Sequence, residues 1–106
     1  MILSTLETLP GLMITHHLGV VSGSTVRAKH FGRDFMAGLK NIVGGELKGY
    51  TELLNESRQQ AVERLRQQAE SMGADAVLNI RFATSSIAAG AAEVFAYGTA
   101  VKVSRA

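Results

Sequence analysis

Cysteine is absent from this sequence of 106 residues. Without thiols the chain can form no disulfide, and it can offer no thiolate as a nucleophile, zinc ligand or iron–sulfur ligand. Three histidines are the only side chains that could supply a nitrogen ligand to a metal. The absence of cysteine therefore excludes thiolate-based capture of soft metals.

A marked excess of one charge is also missing, because 11 Lys and Arg residues stand against 9 Asp and Glu residues. The two signs are interleaved along the chain, which argues against a basic patch for phosphates. Aromatic residues make up 6% of the sequence and do not alternate with basic residues, so a stacking platform for single strands is unsupported. We expect no nucleic-acid partner.

Long apolar runs are absent too, since none approaches the roughly 18 residues that span a bilayer. Residues 1–7 lack the basic start of a signal peptide, and Glu7 interrupts their apolar character. We therefore expect a cytoplasmic protein with no membrane partner.

The length of 106 residues fits one domain over residues 1–106. A chain this short has little interior, yet 46% of its residues are apolar. Some apolar surface is left to be covered from outside, and a second copy of the same chain is the simplest cover. This composition favours a homo-oligomer.

Strand patterns come first along the chain. Residues 2–4 are predicted to form a short strand before a turn at Pro10-Gly11, and the apolar, β-branched segment from Leu12 to Val21 a second strand that Ser22-Gly23-Ser24 closes. Strict alternation gives this strand two largely apolar faces. One face holds Leu12, Ile14, His16, Leu18 and Val20, and the other Met13, Thr15, His17, Gly19 and Val21.

Two helices are predicted next. The first covers residues 29–43, with Phe31, Phe35, Leu39 and Ile42 along one stripe, and ends at Gly44-Gly45. The second is long and amphipathic, and it ends before Gly73. Its buried stripe is predicted to be Tyr50, Leu53, Leu54, Ser57, Ala61, Leu65, Ala69 and Met72. Its solvent side is predicted to be Asn55, Glu56, Gln59, Gln60, Glu63, Arg66, Gln67 and Glu70.

Two more strands close the sequence. The segment Asp75–Ser85 alternates, a loop is predicted over Ser86–Ala91, and the last strand covers Glu93–Val103. The resulting three main strands leave open sheet edges that a neighbouring subunit could cover. In the first of the two strands, Ala76, Leu78, Ile80 and Phe82 are placed on one face, and Asn79 and Arg81 on the other. In the last strand, Phe95, Tyr97, Thr99, Val101 and Val103 are placed on one side, and Val94, Ala96, Gly98, Ala100 and Lys102 on the other.

Several blocks of this sequence resemble the YbjQ-like family over essentially the whole chain. They are residues 31–45 (FGRDFMAGLKNIVGG), Tyr50 with Ser57-Arg58, residues 73–82 (GADAVLNIRF) and residues 98–101 (GTAV). The resemblance implies an α+β, dodecin-like β-α-β-β subunit, a long helix on a small antiparallel sheet, assembled into a homopentameric ring. The family carries a heavy-metal-binding label and no assigned function. It offers no metal motif that could be carried over to residues of this chain.

Candidate site residues are few. His16 and His17 are candidates for ligand binding, but neighbours on a strand point to opposite faces and cannot chelate one ion. Asn79 and Arg81 could form a small anion site or an interface. Arg33, Asp34 and Arg58 are interpreted as structural or assembly residues. No catalytic residue, metal ligand or cofactor is assigned, because Ser57 has no activating partner in the pattern and the glycine pairs do not fit a phosphate loop.

Two classes of function remain open. One is a non-catalytic, homo-oligomeric binding or scaffold protein that takes up a metal or small molecule at subunit interfaces. The other is an enzyme whose active site forms between subunits. The first is favoured because no nucleophile and base can be paired from the sequence.

Overall fold

The computed structural model describes residues 1–28, 48–88 and 91–106. The predicted helix over 29–43, its Gly44-Gly45 end and the candidates Arg33 and Asp34 lie outside the described residues. The described elements are β1 (Ile2–Leu3), β2 (Leu12–Ala28), α1 (Lys48–Ser71), β3 (Ala76–Ala88) and β4 (Ala91–Arg105).

The strands form one four-stranded sheet in the order β1-β3-β4-β2. β4 pairs antiparallel with both β2 and β3, whereas β1 pairs parallel with β3 at Ala76 and Val77. The sheet is therefore mixed, and the expectation of a purely antiparallel sheet is wrong. The reason lies in residues 4–11, which carry the chain from one edge of the sheet to the other instead of forming a hairpin.

α1 packs on one face of this sheet, so the fold is α+β as predicted. Its central residues Ala61, Leu65 and Ala69 are fully buried. Ser57 is buried as well, and Leu53 and Leu54 are half-buried, which confirms most of the predicted stripe. Met72 is an exception because it lies past the end of the helix and is 37% exposed. The strand residues of the same core cluster are Val21, Val77, Ile80, Val94, Ala96 and Ala100.

Two predicted strand ends are wrong. β2 does not close at Ser22-Gly23-Ser24 but continues to Ala28, and β3 continues through the predicted loop to Ala88. Both extensions are held by pairing with β4, whose first residue Ala91 aligns with Ala28 and with Ala88. Cross-strand pairing outweighs the weak local strand preference of these small and polar residues.

The alternation predicted for β2 is also wrong, because register shifts fall between Ile14 and His16 and between His17 and Gly19. Each β-bulge adds one residue and reverses the faces of the strand residues after it. Ile14, His17 and Val20 consequently lie on one face, aligned with Val103, Val101 and Thr99 of β4. Gly19 at the second bulge has a φ of 123°, a backbone conformation that residues other than glycine rarely adopt.

A third irregularity lies in β3. Asn79 has φ of 56°, and the pairing with β4 moves from Leu78 with Thr99 to Arg81 with Tyr97. Ala76 and Leu78 therefore belong to a small cluster on the face opposite α1, whereas Val77 and Ile80 face the helix. Placing Ala76, Leu78 and Ile80 on one face was wrong. In β4, by contrast, the predicted alternation is confirmed, with Val94, Ala96, Gly98 and Ala100 buried.

Among the described residues, no helix combines the length and the hydropathy needed to cross a bilayer.

Candidate functional site

The sheet face opposite α1, here named the outer face, is only partly covered. At one end the segment 4–11 crosses it, and Leu9 packs on Ala76, Leu78 and Val101. At the other end Val20 is 73% exposed and Val26 is 59% exposed. The covered end belongs to the core of the subunit, and the open end is the candidate surface for interaction.

The open end is formed by Val20, Val26, Phe95 and Tyr97, here named the outer patch. Val20 aligns with Thr99 of β4 and Val26 with Glu93, so both valines share the outer face with the two rings. The rings of Phe95 and Tyr97 stack with centroids 5.5 Å apart and an interplanar angle of 27°. Tyr97 is 38% exposed and Phe95 is half-buried. An apolar surface supported by stacked rings on a sheet is typical of an interface.

The two histidines are both exposed and lie on opposite faces, as predicted from their adjacency. His16 aligns with Lys102, and His17 aligns with the buried Val101. Nδ1 of His16 lies 3.0 Å from Oγ1 of Thr15, which in turn donates to the carbonyl of Lys102 at 3.2 Å. His16 is thus tied to the bulge, whereas His17 stands on the outer face with Val20.

Asn79 and Arg81 hold the N-terminal segment against the edge of β3. The Arg81 guanidinium donates to the carbonyl oxygens of Thr5 at 3.0 Å and Ile80 at 2.9 Å. The Asn79 N–H donates to the carbonyl of Leu6 at 3.0 Å. The side-chain oxygen of Asn79 lies 3.5 Å from Arg81 Nη2. The structure therefore gives both residues a role in shaping residues 4–6.

Arg58 lies on the exposed side of α1, where it donates to the side chain of Asn55 one turn earlier. Beside it, the Ser57 hydroxyl is buried and donates to the carbonyl of Leu53 at 2.7 Å. Oγ1 of Thr25 donates a hydrogen bond to the Ser57 carbonyl oxygen at 3.2 Å. A hydroxyl committed to its own helix in the core gives no support to nucleophilic catalysis by Ser57.

Further along α1, Arg66 forms ion pairs with Glu63 and Glu70. The hydrogen bond from Arg66 lowers the pKa of the Glu63 carboxyl below its ordinary value, and the same contact raises the pKa of Arg66. Pairs three and four residues apart meet on a helix surface and stabilise it slightly. This cluster belongs to the solvent side of the helix.

Two other polar residues of α1 reach the strand beside them. Oε1 of Gln68 accepts a hydrogen bond from the Ser22 N–H at 2.6 Å, and Nη1 of Arg64 donates to the Ser24 carbonyl at 2.6 Å. The sequence pattern places Arg64 and Gln68 neither on the buried stripe nor on the solvent side. The one sequence feature that could have indicated their contact with the sheet is their position next to the buried stripe, one residue before Leu65 and Ala69.

In the ranges that the structure describes, no three histidine or carboxylate side chains come close enough to hold a metal ion. A family model whose description reads "Putative heavy-metal-binding" nevertheless matches residues 1–104. The chain belongs to the YbjQ-like family. The resemblance predicted from the sequence blocks is confirmed.

Related YbjQ-like proteins occur in bacteria and archaea. A UPF0145 protein of Hahella chejuensis is 65% identical over 101 residues, which cover 95% of this chain and 97% of the relative. A UPF0145 protein of Methanosarcina acetivorans is 54% identical over 103 residues, 97% of each chain. Neither name states an activity, a ligand or a partner.

A solved structure is similar as well. A protein of unknown function from Pediococcus pentosaceus, of the DUF74 family, superposes with a TM-score of 0.67 over 98% of each chain. Its sequence is only 15% identical, so the similarity supports the fold alone. The α+β fold of the YbjQ-like chain is thus also found in this solved structure.

The heavy-metal label leads to a testable prediction. We expect at best weak binding of Zn²⁺, Ni²⁺ or Cu²⁺, because His16 and His17 face apart and the chain has no thiol. Isothermal titration of the metal-free protein, with His16→Ala and His17→Ala as controls, measures this. Sub-micromolar binding with fixed stoichiometry that either substitution abolishes would contradict the prediction.

Proposed function

We propose that this YbjQ-like protein is a non-catalytic, homo-oligomeric binding or scaffold protein whose subunits associate through the outer patch. The observation that carries the proposal is the exposure of Val20, 73% of whose surface is open on the same sheet face as the exposed Val26 and Tyr97. Burial of apolar surface stabilises association by roughly 25 cal/mol per Å² before the cost of immobilising the partners.

The family resemblance implies that the assembly is a homopentameric ring. A ring needs a heterologous interface, in which the outer patch of one subunit meets a different surface of the next. The solvent side of α1, which carries the ion pairs of Arg66 with Glu63 and Glu70, is not proposed as that surface.

The ligand is proposed to lie between subunits. His17 shares the outer face with Val20, so association through that face would bring it to the subunit boundary. One imidazole from each subunit could then meet a small molecule, or a metal ion that is held only weakly because no thiolate joins the imidazoles. In this proposal the binding site is completed by assembly and belongs to no chain alone.

The alternative, an enzyme with its active site between subunits, needs a nucleophile or a general base at the same boundary. The strand register places Ile14, Val20, Thr99 and Val101 on the outer face near His17. Arg81, on the same face, is bound to carbonyl groups. A histidine among valines and engaged donors favours binding over acid–base catalysis. We therefore retain the non-catalytic proposal.

The test is the mass of the untagged protein and of two matched variants. Wild type should sediment well above 11.3 kDa, and its melting temperature should rise with protein concentration because folding and association are coupled. Val20→Lys places a charge in the outer patch and should give a smaller particle. Gln60→Lys adds the same charge on the exposed side of α1 and should leave the mass unchanged.

Each outcome bears on a different part of the proposal. A wild-type particle of 11.3 kDa with a constant melting temperature across a hundredfold dilution would refute self-association. A large particle that is unaffected by Val20→Lys would keep the oligomer and refute the outer patch as its interface. Native mass spectrometry of the same sample identifies any retained ligand and counts the subunits.

A further inference from the structure

β2 lies at one edge of the sheet and is 17 residues long. Its one neighbour among the described strands is β4, so no described strand pairs with the opposite edge, here named the free edge of β2. A long edge strand presents alternating N–H and C=O groups to which a strand of another molecule can pair. The free edge of β2 is therefore a strand-accepting surface unless something closes it.

α1 places two side chains on this edge. The groups that they bind, the Ser22 N–H and the Ser24 carbonyl, belong to alternate residues whose backbone points away from β4. The spacing matches on the two elements. Arg64 and Gln68 are four residues apart, about 6 Å along a helix, and Ser22 and Ser24 are two residues apart, about 7 Å along a strand.

We propose that Arg64 and Gln68, here named the edge guard, close the free edge of β2 to strand addition by a second copy of this chain. An incoming strand would have to displace both side chains to reach two consecutive outward-facing residues in the middle of β2. Without displacement, it would lose a donor and an acceptor from the centre of its ladder. The edge guard thus suppresses growth by strand pairing.

A second copy is the partner that this edge fits best, since β2 itself is long, extended and uninterrupted by proline. Two β2 edges can pair antiparallel with each other, and the edge of β3 beyond the two residues paired with β1 lets such a pair grow further by strand addition. Such pairing would compete with any closed assembly and would lead towards open fibres. The inference goes beyond the proposed function, because it holds whether or not the outer patch is an interface.

The experiment compares two double variants that make the same chemical change on the same helix. Arg64→Ala with Gln68→Ala removes the edge guard. Arg58→Ala with Gln60→Ala removes one arginine and one glutamine from the exposed side of α1. We expect the first variant to form high-mass, thioflavin-positive species during incubation, and the second to keep the mass of wild type.

A proline distinguishes edge pairing from simple unfolding. Ser22→Pro, added to the Arg64→Ala and Gln68→Ala variant, removes a backbone donor that points outward and leaves the ladder with β4 intact. It should restore the wild-type mass although it does not restore stability. If loss of stability caused the high-mass species, the proline would increase their amount.

Three results would overturn the inference: a guardless variant that keeps the wild-type mass, equal growth in the two double variants, or growth that Ser22→Pro enhances. Where the guardless double variant does not fold, Gln68→Ala alone makes the same comparison against Gln60→Ala. Both glutamines are exposed on α1, and only Gln68 contacts β2. A Gln68→Ala protein without high-mass species would then refute the edge guard.

Discussion

Replacement of Leu65 by alanine is expected to lower the free energy of unfolding by about 2–5 kcal/mol. Leu65 is fully buried at the centre of α1, in the cluster that joins the helix to β2 and β4. Removal of its side chain loses apolar burial and leaves a cavity that the surrounding strands can fill only in part. Urea denaturation at a fixed protein concentration measures the change, since association would shift the midpoint with concentration.

Two further substitutions on the same helix place this effect on a scale. Leu54→Ala should cost less than Leu65→Ala, because Leu54 is half-buried at the margin of the cluster. Gln60→Ala, on the exposed side, should stay within roughly 0.5 kcal/mol of wild type. Equal losses at Leu65 and Gln60 would mean that α1 presents a different face to the sheet.

α1 and β4 could be predicted well because each keeps one period along its whole length. Ala61, Leu65 and Ala69 recur at four-residue spacing, and Val94, Ala96, Gly98 and Ala100 alternate without interruption. Each pattern therefore matches a single template, and the tertiary structure adds nothing that would break it.

β2 and β3 could not be predicted in the same way because bulges change their phase. A bulge is defined by two residues opposing one on the partner strand, so it becomes visible only once the pairing is known. The local signals were weak: Gly19 inside an apolar run, and Asn79 between Leu78 and Ile80. Asparagine and glycine both tolerate positive φ, and these two positions lie at two of the phase changes.

Part of the candidate site could not be predicted, again because it depends on strand pairing. His17 and Val20 could not be placed on one face while strict alternation separated them, and the second bulge brings them together. Arg64 and Gln68 could not be recognised from helical periodicity alone, because their role depends on the neighbouring free edge of β2. Which edge is free is a property of strand order, and strand order is fixed by contacts distant in sequence.

Gly23 was interpreted as part of a turn, and its actual position in mid-strand makes it the most sensitive glycine of the interface between α1 and β2. A Cβ atom on Gly23 would lie 2.2 Å from the Ala61 carbonyl oxygen and 2.4 Å from the Leu65 nitrogen. Both are backbone atoms of α1, which no change of rotamer can move aside. The helix can approach β2 this closely only because residue 23 has no side chain.

Gly23→Ala is therefore expected to lower the free energy of unfolding by about 3 kcal/mol, at the upper end of the range for overpacked cores. To relieve the contact, α1 must move away from β2, which loosens the packing of Leu65 and draws Arg64 and Gln68 off the strand edge. Thermal and urea unfolding measure the loss. Ser24→Ala, one residue further on, keeps the backbone acceptor used by Arg64 and should cost less than about 1 kcal/mol.

A double substitution tests whether the clash is with the helix backbone. Leu65→Ala shortens a neighbouring side chain but leaves the Leu65 nitrogen and the Ala61 carbonyl in place. It should therefore not rescue Gly23→Ala, and the double variant should be less stable than either single variant. The combined loss should be smaller than the sum, because Gly23→Ala already loosens the packing of Leu65. Rescue by Leu65→Ala would show that side-chain crowding limits the approach. A Gly23→Ala protein as stable as wild type would show that α1 lies farther from β2 than this geometry requires.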